Sequence, residues 1–168
     1  MTSAELLEDG FGRVGEGVGR VIEGLSTEEL TTRVDSQANS ICWLVWHLTR
    51  VQDDHVAAVA GTEQLWTSSG WEQRFGLPLE ASDTGYSHTP EQVGVVTSDA
   101  ETLRGYYDAV HEATLRFVRT ITDADLDRVV DERWDPPVTL GVRLLSVIDD
   151  DLEHVGQAAF VRGILERT

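Results

Sequence analysis

The sequence predicts an all-α protein, a four-helix bundle with a long loop after its second helix. Apolar residues recur at helical spacing in four long segments, residues 3–24, 40–60, 99–121 and 140–165. The strict alternation of apolar and polar residues that marks half-buried strands is nearly absent. A chain of 168 residues suits one domain with its own core, so we expect residues 1–168 to form a single domain.

The first predicted helix covers residues 3–24, with Ser3 as its candidate N-cap. Five glycines weaken this helix, each by about 1 kcal/mol relative to alanine, and would let another helix approach closely. They are Gly10, Gly12, Gly15, Gly17 and Gly19. Ser26 and Glu29 then have the spacing of a capping box, which predicts a further short helical turn.

The second long helix, residues 40–60, begins after Asn39 or Ser40 as N-cap. It is apolar on more than one face, which predicts a central position in the bundle. Residues 61–97 are rich in Gly, Ser, Thr and Pro, and we expect a single short helix there, near Leu65–Phe75. A loop of this length is usually functional, and it is long enough to cross over the bundle.

The third long helix, residues 99–121, has Ser98 or Asp99 as its N-cap. Residues 134–138 contain two prolines and must be extended, because the residue before a proline avoids helical angles. Thr139 then caps the last long helix, which runs to about residue 165.

The charge of the chain excludes several classes of function. The net charge is −17, and all 13 basic residues are arginines, so lysine chemistry such as a Schiff base is impossible. A field this negative argues against nucleic acids and anionic membranes as partners and favours the capture of a cation. With neither a signal-peptide pattern nor a membrane-spanning apolar run, we expect a cytoplasmic protein.

Histidines and carboxylates on two predicted helices suggest a metal site. Asp150 and His154 are four residues apart, so both project from one face of the last helix. His47, in an otherwise apolar stretch of the second helix, would complete a three-ligand site for a divalent cation. The alternative ligands or orienting partners are Asp54, Asp151 and Gln157. On spacing alone, a hydrogen-bonded core histidine and a solvated acidic face explain the pattern better.

Two short motifs resemble the DinB/YfiT-like superfamily, and more closely its mycothiol-dependent branch. The step His47-Leu48 matches the first ligand motif of that family, and His154 followed by Gln157 matches the last. Where family members commonly have histidine four residues before the last ligand, this chain has Asp150. The resemblance spans nearly the whole chain and implies a DinB-like bundle in which His47, Asp150 and His154 hold zinc or nickel.

The resemblance also implies an activity. Family members use the metal to hold a small thiol as a thiolate, which attacks an electrophile or helps to isomerise one. Here the thiol would be mycothiol from solution. The only cysteine of the chain is Cys42, which lies beside apolar Trp43, so we expect it to be buried and dispensable. Two alternatives stay open: a non-catalytic, stress-related bundle that binds metal and a small molecule, and a hydrolase that uses a metal-bound water. A small-molecule substrate is expected, and a homodimer is compatible with the sequence.

Aromatic residues of the long loop are candidates for a substrate pocket. Trp66, Trp71 and Phe75 would wall that pocket over the metal, or they would simply anchor the loop to the bundle. Arg74 or Arg143 would suit an anionic group, although a surface ion pair in an acidic protein is the better explanation for each. Because the surface is so acidic, we expect small neutral electrophiles rather than polyanions.

Overall fold

A computed structural model describes residues 1–167, which fold as the predicted all-α bundle. Four long helices form its frame: α1 (Ser3–Ile22), α3 (Ile41–Ala60), α7 (Ala100–Val118) and α8 (Leu140–Leu165). Four short helices join them: α2 (Thr27–Thr31), α4 (Leu65–Ser68), α5 (Trp71–Phe75) and α6 (Pro90–Val95). A 3-10 helix at Asp123–Asp127 precedes an antiparallel pair of short strands, β1 (Val129–Asp131) and β2 (Val138–Thr139). Within the described chain, no helix is both long and apolar enough to cross a bilayer.

The long helices are not arranged in sequence order around the bundle. Both α1 and α3 pack mainly against α7 and α8, so α1 and α3 lie across a diagonal from each other. The close approach that the glycines predicted is present between α1 and α8. A Cβ built on Gly17 would lie 2.5 Å from Cγ1 of Val155, so only glycine fits there without a shift of α8.

The helix ends largely follow the sequence signals. Ser40, Asp99 and Thr139 cap α3, α7 and α8 with their side chains, and the Ser26–Glu29 capping box is formed. The N-cap of α1 is Thr2 rather than Ser3, because Thr2 and Glu5 exchange hydrogen bonds in a capping box of their own. Helix α1 also ends at Ile22, ahead of Gly24, whose φ of 75° breaks the helical run.

The loop after α3 contains more helix than the sequence indicated. The single helix expected at Leu65–Phe75 is two short helices, because Gly70 adopts a left-handed conformation between α4 and α5. Helix α6 was not predicted, although Pro90 at its first turn and the Thr89–Gln92 capping box are recognisable start signals. The two strands also escaped prediction, since three and two residues are too few to show alternation.

Candidate metal centre

His47, Asp150 and His154 meet at the seam between α3 and α8. One ligand atom of each residue lies within 4.8 Å of those of the other two. The imidazole rings are 4.8 Å apart between centroids and nearly perpendicular, at 67°. Nε2 of His154 is 3.7 Å from Oδ1 of Asp150, which is too long for a hydrogen bond. The structure therefore brings together the three residues that the sequence singled out.

His47 is held as a neutral imidazole with one free nitrogen. Its side chain is buried, and its Nδ1 lies 2.5 Å from the carbonyl oxygen of Thr84. A carbonyl only accepts, so Nδ1 carries the hydrogen and the lone pair of Nε2 is left for another partner. Burial lowers the pKa of His47 below its ordinary value; the bond to Thr84 opposes this shift, and the neighbouring His154 reinforces it.

The other two members of the cluster also have unengaged donor atoms. Nδ1 of His154 lies 3.1 Å from Oε1 of Gln157, which orients the ring with Nε2 towards Asp150. Oδ2 of Asp150 is buried and has no hydrogen-bond partner. A carboxylate with a buried orphan oxygen, together with two imidazole nitrogens, is a donor set that fits a divalent cation.

A histidine that sequence reasoning did not assign to the site supports a tryptophan that packs against the site. His88 donates from Nε2 to both carboxylate oxygens of Asp83, at 2.9 and 3.0 Å, and accepts at Nδ1 from Nε1 of Trp43 at 3.0 Å. Trp43 in turn stacks on His47, with 4.6 Å between ring centroids. Burial opposes ionisation of Asp83, but hydrogen bonds from His88 and the Gly85 N–H lower its pKa overall. The contact between the loop and α3 joins Trp43 to His88, 45 residues away, so no local sequence pattern could have found it.

A buried arginine fixes the loop that supplies Thr84. Arg50 is fully buried and donates to the carbonyl oxygens of Asp83 and Ala81, both at 3.2 Å. Its charge is balanced by Asp53, at 3.9 Å, whose carboxylate also accepts the backbone N–H of Trp66. Helix α3 therefore positions His47 directly and also determines where its loop partner lies.

The alternative carboxylates lie outside the cluster. Asp54 is part exposed and accepts a 2.6 Å hydrogen bond from Nε2 of Gln64. Asp151 points into the core, where it is fully buried and neither carboxylate oxygen has a hydrogen-bond partner. Burial, together with the charge of Asp150, raises the pKa of Asp151 well above its ordinary value. Gln157, by contrast, lies where an orienting partner was expected, next to His154.

The loop aromatics pack around Tyr106 of α7. The centroids of Trp66, Trp71 and Phe75 lie 5.3, 5.6 and 5.8 Å from that of Tyr106. Trp66 and Phe75 are buried, and Arg74 stacks over half-buried Trp71 at 4.5 Å. These contacts favour the anchoring role over the pocket wall. The tryptophan in ring contact with both histidines of the cluster is instead Trp43.

Two surface grooves lie along the helices that carry the cluster. One, of about 580 Å³, is mostly apolar and includes Gln157, the partner of His154. The other, of about 570 Å³, is bordered by Asp54, His55 and Arg143 on the other side of the cluster along α3 and α8. Arg143 is not free there, because its guanidinium donates to Asp131 at 3.1 Å.

Comparison with known proteins identifies a family model and a solved structure that match this chain. A family model described as mycothiol-S-transferase matches residues 7–167. The crystal structure of a conserved protein from Enterococcus faecalis is 31% identical to this chain, with a TM-score of 0.92. The match covers 100% of this chain and 99% of that one. Among functionally curated proteins, none matches the sequence.

Proposed function

Because the chain belongs to the mycothiol-S-transferase family, we propose that it is a metal-dependent enzyme that transfers mycothiol, or a similar small thiol, to a small electrophile. The observation that carries the metal dependence is the convergence of His47, Asp150 and His154. Isomerisation of the electrophile after thiol addition would use the same site. The metal we expect is zinc or nickel, since both accept two imidazoles and a carboxylate.

The donor set suits the activation of a thiol. A divalent cation bound there would lower the pKa of an incoming thiol, so that sulfur is present as thiolate at neutral pH. Two neutral imidazoles and one carboxylate supply only a single negative charge, which leaves the centre electropositive towards an anionic sulfur. Gln157 and Thr84 hold His154 and His47 in the orientations that keep both Nε2 atoms available.

The attacking sulfur cannot come from the chain itself. Cys42 is buried, and burial raises the pKa of its thiol to about 12. At neutral pH it therefore stays protonated, and a thiol is a poor nucleophile. A thiol-dependent reaction at this site accordingly needs a thiol from solution, which agrees with the family.

The test combines metal content with thiol dependence. Purified wild type, His47→Ala and His154→Ala are analysed for bound zinc and nickel, and their transfer of mycothiol to a chromogenic electrophile is measured. The matched control is His111→Ala, which removes a half-buried histidine of α7 from outside the cluster. We expect both cluster variants to lose metal and transfer, and the control to keep both. Wild-type metal content in both cluster variants rules out this metal site, and a turnover rate independent of thiol rules out the transferase.

A further inference from the structure

The outer face of α8 carries a line of exposed apolar residues that no other part of residues 1–167 covers. Val142, Leu145, Leu152 and Phe160 are 51, 64, 41 and 67% exposed. Single exposed apolar residues are ordinary, but four large ones along one helix are characteristic of an interaction surface. We call this line, with the smaller residues Gly156, Ala159 and Gly163 and with Asp149, the α8 stripe.

The α8 stripe has the spacing of a helix-pairing seam. Seven of its eight residues, at positions 142, 145, 149, 152, 156, 159 and 163, are separated alternately by three and four residues, the repeat by which two helices bury a common face. The opposite face of α8 is already used, since it packs against α1 and α3. Helix α8 therefore has an apolar outer face that packs against no other helix of its own bundle within the described residues.

We propose that the α8 stripe pairs with the same stripe of a second copy of this chain, in antiparallel orientation about a two-fold axis at Leu152. The sizes of the residues support this arrangement. Val142, Leu145 and Leu152 occupy the first half of the seven seam positions, Gly156, Ala159 and Gly163 occupy the second, and Phe160 lies beside the seam next to Ala159. Antiparallel pairing centred on Leu152 sets Leu145 opposite the partner's Ala159 and Val142 opposite the partner's Gly163, while Leu152 meets its own copy at the axis.

The parallel alternative fits poorly. It would set every residue against its own copy, so that Asp149 would face the partner's Asp149 and glycines would face glycines. Like charges directly opposed are destabilising, and the uneven sizes would splay the helices. In the antiparallel arrangement, Asp149 faces the partner's Gly156, which leaves its carboxylate room to reach solvent. A single polar position in such a seam also fixes the register.

A groove beside the stripe completes the surface. The mostly apolar groove of about 580 Å³ is bordered by Val34, Leu44, Gly156 and Phe160. The proposed symmetry places the partner's Leu145 next to this groove. The large apolar side chains of the stripe, with Val34, expose on the order of 450 Å² per copy, over half of the roughly 800 Å² that each partner buries in a standard interface.

The first test is the mass of the full-length protein by sedimentation equilibrium, for wild type, Leu145→Glu and Leu6→Glu. Leu6 is 59% exposed on α1, outside the stripe, so its variant is a matched control for a surface Leu→Glu change. We expect wild type and Leu6→Glu to be dimers and Leu145→Glu to be a monomer with an unchanged circular dichroism spectrum. A monomeric wild type, or a Leu145→Glu protein that dimerises like wild type, overturns the proposal.

Disulfide trapping in a Cys42→Ala background tests the axis and orientation. A Leu152→Cys protein should cross-link to itself under mild oxidation, because the axis passes through that residue. Leu145→Cys should not cross-link to itself, since antiparallel pairing separates the two copies of residue 145 by about 21 Å along the helix. It should cross-link to an Ala159→Cys protein when the two are mixed. Efficient self-cross-linking of Leu145→Cys instead indicates a parallel pair and overturns the proposed orientation.

Discussion

The carbonyl oxygen of Thr84 accepts a 2.5 Å hydrogen bond from Nδ1 of His47, so a residue of the long loop fixes the tautomer of a histidine on α3. The next residue, Gly85, lies directly against the imidazole. Its φ is 92°, and a Cβ built on it would be 2.8 Å from Nδ1 of His47 and 3.0 Å from the ring of Trp46. The loop reaches His47 this closely only because glycine occupies that position.

We therefore predict that Gly85→Ala weakens metal binding more than it weakens the fold. The new methyl group must displace either the loop or the His47 ring, and loss of an orienting partner typically costs at least roughly 10-fold in metal affinity. The control is Gly76→Ala, at a φ of 58° but with its nearest neighbour 3.9 Å away. Both changes strain the backbone, so both should lower the melting temperature. Zinc competition with a chromogenic chelator separates them; equal zinc affinity in the two variants contradicts the role of Thr84 and Gly85.

The same substitution at two neighbouring carboxylates of α8 should reduce the zinc content in one case and leave it unchanged in the other. Asp150→Asn removes a charged donor from the cluster, and we expect it to reduce zinc content strongly. Asp151→Asn changes a side chain that points into the core, and we expect it to leave zinc content near that of wild type. Elemental analysis after dialysis against a weak chelator decides which carboxylate is the third ligand. Zinc loss in Asp151→Asn with retention in Asp150→Asn reverses the assignment.

The pH dependence of stability provides a separate measurement on Asp151. Burial raises its pKa in the folded protein, so the unfolded chain loses this proton first as the pH rises. The contribution of Asp151 to the free energy of unfolding therefore falls as the pH rises above about 4, by about 1.4 kcal/mol for each unit of pKa difference once the folded pKa is passed. Asp151→Asn has no proton to lose there, so its stability relative to wild type should increase with pH. Urea unfolding of the metal-free proteins between pH ~5 and pH ~8 checks this, and a constant difference argues against a buried neutral Asp151.

The sequence predicts those parts of the site that depend on one helix at a time. Asp150 and His154 share a face because of their four-residue spacing, and the apolar surroundings of His47 place it in the core. The contacts that orient these residues instead join parts of the chain that are far apart in sequence. His47 and Thr84 are 37 residues apart, and Trp43 and His88 are 45 apart. Such contacts depend on the path of the loop, which leaves no periodic signal along the chain.

The amino-acid composition of the loop after α3 predicted the structure of that loop only in part. Its Gly, Ser, Thr and Pro content correctly predicted a break in the long helices, but the same residues act as caps and left-handed stops for short ones. Gly70 separates α4 from α5, and Thr89 with Pro90 starts α6. The role of the loop aromatics was likewise open, because an anchor and a pocket wall require the same residue types. Their contacts with Tyr106 are visible only in the folded chain.

We predict that Trp71→Ala lowers stability and leaves the metal centre intact. Trp71 packs against Tyr106, and its ring occupies the space over Gly105, where a Cβ would be 2.9 Å away. Truncation of this half-buried ring should cost roughly 2 kcal/mol, or about 4–8 °C in melting temperature. Differential scanning calorimetry and zinc content are the two measurements. An unchanged melting temperature with a large fall in substrate affinity would restore Trp71 to the wall of a pocket.

We predict that the only cysteine of the chain is dispensable for the reaction. Cys42→Ala should retain thiol-dependent transfer within about twofold of wild type, because a thiol with a pKa of about 12 supplies no nucleophile at neutral pH. The change leaves a small space in a packed core, where Cys42 is fully buried, so a modest loss of stability is expected. Cys42→Ser is the companion variant: it keeps the size of the side chain but buries a hydroxyl in its place. Steady-state rates at saturating thiol decide the matter, since loss of turnover in both folded variants would show that Cys42 takes part in the reaction.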